Sequence, residues 1–164
     1  MKTTKTDKLI AAIQELQNAT GNISYINNGG CGVFAAAAAK RLNRMGFRAY
    51  VRVASFTNFG LRLARLVANG NITSKRDLTR NGISCDHLIV EAIVNKKSIF
   101  FDATNMSPVF NPRLFLDCRL GAGRMDALSA LRVARTRYGW NPYFRRSQIP
   151  TLFRQMNEAL APLK

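Results

Sequence analysis

The 164-residue sequence is poor in the residues that build metal sites and disulfide frameworks, because it contains one histidine and only three cysteines. A structural zinc site needs about four ligands, usually in closely spaced pairs, but Cys31, Cys85 and Cys118 are far apart in the chain. We therefore expect no metal. An odd number of scattered cysteines also argues against a disulfide framework. The roles that remain for a cysteine are packing in the core and nucleophilic chemistry.

Long hydrophobic runs are also missing. No apolar stretch approaches the roughly 18–20 residues that a membrane-spanning helix requires. Residues 1–17 lack the unbroken apolar segment of a secretory signal peptide. The sequence thus predicts a protein with no membrane span, located in the cytoplasm or in a virus particle. The length fits a single domain covering residues 1–164.

Acidic residues are scarce. Nine Asp and Glu oppose 25 Lys and Arg, which leaves a net charge of +16. Such a chain attracts polyanions, so nucleic acid, an acidic protein surface or anionic lipid are candidate partners. The alternative is that the charge serves solubility alone.

The hydrophobic pattern indicates an α+β fold. Helical spacing of apolar residues and strand-like runs predict helices over 6–18, 31–45, 123–137 and 147–160, and strands over 49–54, 87–94 and 98–102. The first helix has Thr6 or Asp7 as its candidate cap. We expect the helix that begins at residue 31 to pack on a small antiparallel sheet. The core then covers about residues 20–105, and a helical extension covers about 106–164.

Cys31 has the sequence context of a reactive thiol. It follows Asn27-Asn28-Gly29-Gly30 and opens a helix rich in alanine. A helix N-terminus favours the thiolate, and its N–H groups can stabilise an oxyanion. The Cys31 backbone N–H is one donor for that oxyanion, and Tyr25, Asn27 and Asn28 are further candidates by their position.

His87 and Asp102 are the candidate partners of Cys31. His87 begins one strand of a predicted hairpin and Asp102 ends the other, so the carboxylate can orient the imidazole as the third member of a catalytic triad. Each residue also has a plain structural interpretation: packing for Cys31, a polar strand end for His87, and a cap of the loop 103–105 for Asp102. Cys85 is a rival nucleophile close to His87, whereas Cys118 is interpreted as a packing residue.

Two blocks of the sequence resemble the transglutaminase-like superfamily of papain-like cysteine proteins. The first block, residues 30–35 and 44–53, is similar to the nucleophile helix of that superfamily and to the strand that follows it. The second block, residues 87–92 and 101–104, is similar to its histidine strand and to the Phe-Asp-Pro-Thr motif at the end of the next strand. The order Cys, His, Asp is the same. The resemblance covers about residues 29–105. Ile89 and Ala103 depart from the pattern, which often has an aromatic residue and usually a proline at these positions.

The resemblance implies thiol-dependent acyl chemistry, in a cysteine protease, an amide hydrolase or a transglutaminase-like enzyme acting on a protein or peptide. It assigns the catalytic roles to Cys31, His87 and Asp102. This chemistry needs no metal and no organic cofactor. Hydrolysis of a peptide or isopeptide bond is the leading hypothesis, ahead of transamidation.

The C-terminal part supports a second hypothesis from another class. Arginines between residues 113 and 146 are interleaved with Tyr138, Trp140, Tyr143 and Phe144, a combination that suits phosphate contacts and base stacking. The same pattern arises when aromatic residues fold into the core and arginines face solvent. The alternative function is therefore a basic structural or nucleic-acid-binding protein, associated with a virion or another larger assembly, with a vestigial triad.

Overall fold

The protein has an α+β fold. A computed structural model describes residues 2–24, 26, 30–55, 87–137 and 146–162. These residues form four α-helices, namely α1 (Lys5–Thr20), α2 (Cys31–Arg44), α3 (Ala127–Arg137) and α4 (Ile149–Leu160). They also form five strands, namely β1 (Arg48–Ser55), β2 (His87–Val94), β3 (Lys97–Phe101), β4 (Met106–Ser107) and β5 (Arg119–Leu120). None of the helices in these ranges is long and apolar enough to cross a membrane.

Helix α1 begins at a capping box that differs from the predicted cap. Thr4, rather than Thr6 or Asp7, is the N-cap: its hydroxyl accepts a hydrogen bond from the Asp7 backbone N–H at 3.1 Å. The Asp7 carboxylate accepts one in return from the Thr4 N–H at 2.9 Å. This reciprocal pair needs a spacing of three residues between its members, which Thr4 and Asp7 satisfy. The apolar face of α1 then enters the core through Leu9, Ile13 and Leu16.

Helix α2 lies at the centre of the molecule. It packs against β1 and β2 of the sheet and against α3 and α4. Each alanine from Ala35 to Ala39 is at most 1% exposed, so the helix is buried around its whole circumference at this level. Alanine favours the helix and its small side chain lets neighbours approach on every side. The alanine run therefore explains how one helix can contact a sheet and two helices at once.

The five strands form an antiparallel sheet in the order β4-β3-β2-β1-β5. The predicted hairpin is present as β2 and β3, but its turn is tighter than predicted. Only Asn95 and Lys96 form the turn, both with positive φ values of 50° and 62°. Such left-handed residues match the twist of a two-residue hairpin. The strand β3 consequently begins at Lys97 and ends one residue before Asp102.

The sequence had suggested a helical extension after residue 105, but this part of the chain also contains strands. It contributes β4, which pairs with the end of β3, and β5, which pairs with the end of β1. Its helices α3 and α4 supply buried residues to the same hydrophobic cluster as α1, α2 and the sheet, including Val133, Ile149 and Met156. Strands of two residues are too short to show a period of hydrophobicity, which is why the sequence pattern did not reveal them.

Candidate active site

Cys31 is the first residue of α2 and is 8% exposed. The helix begins here because Gly30 is its N-cap. The Gly30 carbonyl accepts hydrogen bonds from the backbone N–H groups of Val33 and Phe34, each at 2.9 Å. The Cys31 thiol therefore lies at the positive end of the helix dipole, an environment that favours the thiolate.

Gly32 determines how closely α2 approaches its neighbours. A Cβ atom on this residue would lie 2.9 Å from Cβ of Ala134 and 2.9 Å from Cδ1 of Leu88. Carbon atoms in good contact are about 3.5–4.0 Å apart, so a side chain at position 32 would push α2 away from α3 and β2. Leu88 follows His87 in β2. The close approach at Gly32 thus brings the start of α2 beside the start of β2.

His87 links the thiol and the carboxylate. Its Nε2 lies 2.9 Å from Oδ2 of Asp102, and its ring also forms a hydrogen bond with the side chain of Cys31. Burial lowers the pKa of His87, but the hydrogen bonds to Asp102 and Cys31 outweigh burial and raise the pKa from 6.5 to about 9. Because Asp102 occupies Nε2, the other ring nitrogen, Nδ1, is the one that can exchange a proton with Cys31.

Asp102 combines the two roles that the sequence left open. Oδ2 contacts His87, while Oδ1 accepts hydrogen bonds from the backbone N–H groups of Thr104 at 2.9 Å and Asn105 at 2.7 Å. It therefore caps the turn after β3 and also holds the imidazole. Burial raises the pKa of Asp102, but the hydrogen bonds from His87, Thr104 and Asn105 prevail and lower it. The carboxylate is thus held in its ionised form.

The hairpin register explains why His87 and Asp102 meet. Strands β2 and β3 pair from Val94–Lys97 to Val90–Phe101. One further step of this register would place Asp102 opposite residue 89, two residues from His87. The two side chains are then diagonal neighbours on one face of the hairpin, within reach of each other. The predicted hairpin placed these residues at the ends of its two strands, and the observed register offsets them by two residues.

Sequence analysis did not assign a role at the site to Gln17, and it considered Thr104 and Asn105 only as loop residues. The Gln17 amide donates hydrogen bonds to the backbone carbonyls of Asp102 at 2.9 Å and Asn105 at 3.1 Å. An aspartate followed by Thr and Asn two and three residues later is typical of a side-chain-capped turn, so that part had a local signal. Gln17 had none, because 85 residues separate it from Asp102.

A second buried carboxylate was also missed. Glu91 on β2 is 2% exposed and accepts hydrogen bonds from Arg52 at 2.5 Å, Ser98 at 2.6 Å and Arg124 at 2.8 Å. Burial raises the pKa of Glu91, but the hydrogen bonds from Arg124, Ser98 and Arg52 lower it to about 2. This Glu91 cluster joins three strands and the segment before α3. Two arginines that contribute to the positive net charge, Arg52 and Arg124, are thus paired with a carboxylate inside the protein.

Several predicted features lie outside the residues that the structure describes. They are the rival nucleophile Cys85, the oxyanion candidates Tyr25, Asn27 and Asn28, and the aromatic residues Tyr138, Trp140, Tyr143 and Phe144. Cys118 is described and is 0% exposed, in agreement with its interpretation as a packing residue. Among the described residues, then, the site comprises Cys31, His87 and Asp102 with the groups that hold them.

A cavity of about 620 Å³ lies between the segment after α1 and helix α4. Its walls carry mostly neutral polar side chains, among them Asn22, Ser24, Thr151 and Gln155, with Glu158 as the charged member. Cys31, His87 and Asp102 do not line it.

Comparison of the chain with protein-family models, with curated proteins and with solved structures found no match. Across the described ranges, no three His, Cys, Asp or Glu side chains come together in a way that could hold a metal ion. The site consists of a thiol at a helix N-terminus, an imidazole in contact with it and a buried carboxylate behind the imidazole.

Proposed function

We propose that the protein is a cysteine-dependent enzyme that cleaves amide bonds, with Cys31 as nucleophile, His87 as proton carrier and Asp102 as the group that orients His87. The observation that carries this proposal is the chain of contacts from the Cys31 side chain to the His87 ring and from Nε2 of His87 to Asp102 at 2.9 Å. A base within hydrogen-bonding reach of a nucleophile, itself oriented by a third group, is the arrangement that activates thiols in acyl transfer.

The first half of the proposed reaction forms a thioester. The Cys31 thiolate attacks the carbonyl carbon of the amide, and the carbonyl electrons move to oxygen. That oxyanion forms at the N-terminus of α2, where the helix dipole and the Cys31 backbone N–H favour negative charge. When the intermediate collapses, the C–N bond breaks and the imidazolium of His87 donates its Nδ1 proton to the leaving nitrogen.

The second half releases the acyl group. Neutral His87 takes a proton from water, and the resulting hydroxide equivalent attacks the thioester carbonyl carbon. The C–S bond then breaks, the carboxylic acid leaves, and the Cys31 thiolate and the His87 imidazolium are restored. An amine in place of water would give transamidation through the same thioester, so both outcomes use the same three residues. Hydrolysis of a peptide or isopeptide bond is the outcome we propose.

Asp102 has two effects in this scheme. It fixes the ring so that Nε2–H points to the carboxylate and Nδ1 faces Cys31, and its charge stabilises the imidazolium that balances the thiolate. Its lowered pKa keeps it ionised throughout the pH range in which the thiol reacts.

The family proposal is that α2 and the antiparallel strands form a core of the transglutaminase-like and papain-like type. The order Cys, His, Asp, with the nucleophile at the start of a helix and the other two residues on a hairpin, supports it. Ile89 and Ala103 stand where that pattern often has an aromatic residue and usually has a proline, so the proposal rests on the arrangement rather than on a complete motif.

The test is the pH dependence of thiol alkylation by iodoacetamide, followed by mass spectrometry to identify the modified cysteine. We expect rapid alkylation of Cys31 that persists well below pH 8 and returns to an ordinary thiol profile in His87→Ala. The Cys85→Ser and Cys118→Ser variants are matched controls that should leave the profile unchanged. An ordinary profile in the unmodified protein would overturn the proposal. If the expected profile is observed, peptide and isopeptide substrates should be screened with the unmodified protein, and Cys31→Ser serves as the inactive control.

A second candidate function is supported by the charge. The net charge is +16, and arginines such as Arg44, Arg113 and Arg119 are exposed. A basic structural or nucleic-acid-binding protein, for example in a virion, would show an ordinary Cys31 thiol together with nucleic-acid binding that weakens steeply as salt increases. Measuring both properties on one preparation separates the two functions.

A further inference from the structure

Gln17 lies on α1 and contacts the turn that carries Asp102. Its side-chain nitrogen donates one hydrogen bond to the Asp102 carbonyl at 2.9 Å and another to the Asn105 carbonyl at 3.1 Å. Both partners are acceptors, so the side chain must present its NH₂ group to them and the orientation of the amide is determined. One neutral side chain thereby satisfies the first and last carbonyls of the same four-residue turn.

The turn connects β3 to β4, whose pairing holds its two ends, and it is closed by hydrogen bonds of its own. The Asp102 N–H donates to the Asn105 carbonyl at 3.0 Å, and the Asn105 N–H donates to Oδ1 of Asp102 at 2.7 Å. These bonds fix the shape of the turn, but they do not fix its position relative to the rest of the molecule. The pairing of β3 with β4 anchors the turn to the sheet, and the Gln17 amide provides a second anchor on a helix.

Helix α1 is a rigid support for that second anchor. Leu16, the residue next to Gln17, is 0% exposed, and so are Leu9 and Ile13 on the same face. The position of the Gln17 backbone is thus set by the hydrophobic core rather than by the turn. A side chain that reaches from such a support can hold the turn in place, provided that it keeps both N–H donors.

We propose that Gln17 is a positioning residue of the site: it holds the 102–105 turn so that Oδ2 of Asp102 meets Nε2 of His87. This inference rests on the proposed function, because it assigns Gln17 a role in the same triad. In this role Gln17 acts through the backbone carbonyls of Asp102 and Asn105. Without its amide, two backbone carbonyls lose donors and the Asp102 carboxylate gains freedom to move away from the ring.

The single histidine in the chain makes the test direct. The imidazole signals in an NMR titration belong to His87 alone, so its pKa can be followed without assignment ambiguity. Gln17→Met keeps the length of the side chain and removes both donors, and Gln17→Asn keeps an amide but shortens its reach. Gln14→Met is the matched control, because Gln14 is an exposed residue one turn earlier on the same helix.

We expect the His87 pKa to fall by about 0.5–1 in Gln17→Met and in Gln17→Asn. The acidic midpoint of Cys31 alkylation should rise by a similar amount, while Gln14→Met leaves both unchanged. Thermal unfolding of each variant shows whether a change reflects loss of the fold. A merely structural role for Gln17 would lower the melting temperature without moving either titration.

The possible failures are distinguishable. If unmodified protein shows a raised His87 pKa and a reactive Cys31, but both Gln17 variants keep the same titrations in a folded state, the positioning role is wrong and the proposed function survives. If unmodified protein shows an ordinary Cys31 profile that His87→Ala does not alter, the proposed function fails and the Gln17 inference falls with it.

Discussion

Replacing Asp102 with asparagine removes the charge behind the imidazole and changes little else. Asparagine retains an oxygen that can accept the hydrogen bonds from the backbone N–H groups of Thr104 and Asn105, so the turn after β3 should persist. With that oxygen on the turn, the side-chain atom that faces His87 becomes an NH₂ group. The variant Asp102→Asn thus tests electrostatics and ring orientation without deleting the turn.

The magnitude follows from the contributions to the His87 pKa. Burial lowers the pKa of His87, and the hydrogen bond to Asp102 is the largest of the contributions that raise it to about 9. Without that bond, we expect the pKa to fall to the ordinary value of 6.5 or below. At pH 7.5 the ring is about 97% protonated with a pKa of about 9 and at most about 9% protonated with a pKa of 6.5. The imidazolium population therefore drops roughly tenfold.

The same interaction contributes to stability with a definite sign. The folded-state pKa of His87 is raised above the unfolded value, so the stabilisation is fully present below pH 6.5 and is lost as pH rises through about 9. The difference between these two pKa values corresponds to about 3 kcal/mol. Urea unfolding at pH 6 and at pH 9.5 should show this loss in unmodified protein and a much smaller loss in Asp102→Asn.

NMR titration of the lone imidazole and iodoacetamide kinetics measure these effects. The control is Asp126→Asn, because Asp126 caps the start of α3 with an exposed carboxylate and asparagine is an equally good cap. It should leave both measurements unchanged. A His87 pKa that stays above about 8 in Asp102→Asn would refute the reasoning, since it would mean that Asp102 does not stabilise the imidazolium.

Two further predictions concern packing and the Glu91 cluster. Gly32→Ala should lower the free energy of unfolding by about 1–3 kcal/mol, because the new methyl group overlaps Ala134. It should also lower the His87 pKa by separating α2 from β2. Calorimetry measures the change in stability and NMR measures the pKa. A variant as stable as the parent would contradict the expected overlap. Glu91→Gln should cost about 3 kcal/mol in urea unfolding, because it leaves the largely buried Arg52 guanidinium without a counter-charge. The His87 titration should not change in this variant, and a loss below about 1 kcal/mol would show that the cluster matters little.

Local signals in the sequence were sufficient to predict that Cys31, His87 and Asp102 lie close together. A glycine before Cys31 and an alanine run after it predict where α2 begins, and the runs on either side of Asn95 predict the hairpin that bears His87 and Asp102. These are patterns of neighbouring residues, which a sequence displays directly. The cap of α1 was misassigned because Thr4, Thr6 and Asp7 are all acceptable capping residues and only the spacing of the reciprocal pair distinguishes them.

Contacts between distant segments were beyond the reach of these patterns. Gln17 meets the Asp102 turn across 85 residues, and Arg124 meets Glu91 across 33 residues. A glutamine in an amphipathic helix, or an arginine in a basic segment, has the same local appearance whether it faces solvent or another part of the fold. Such roles depend on tertiary packing, which a single sequence does not display.

The pairing of β1 with β2 has a consequence for how this protein could diversify. The register places Ala54 opposite His87, so the end of β1 and the start of β2 lie side by side at the candidate active site. Strand pairing thus holds the two points between which the chain must connect, whatever the length of the connection. Closing a longer connection costs only about 0.6 kcal/mol for each doubling of length. Changes in the length of the segment that joins these strands should therefore leave the pairing beside His87 as it is.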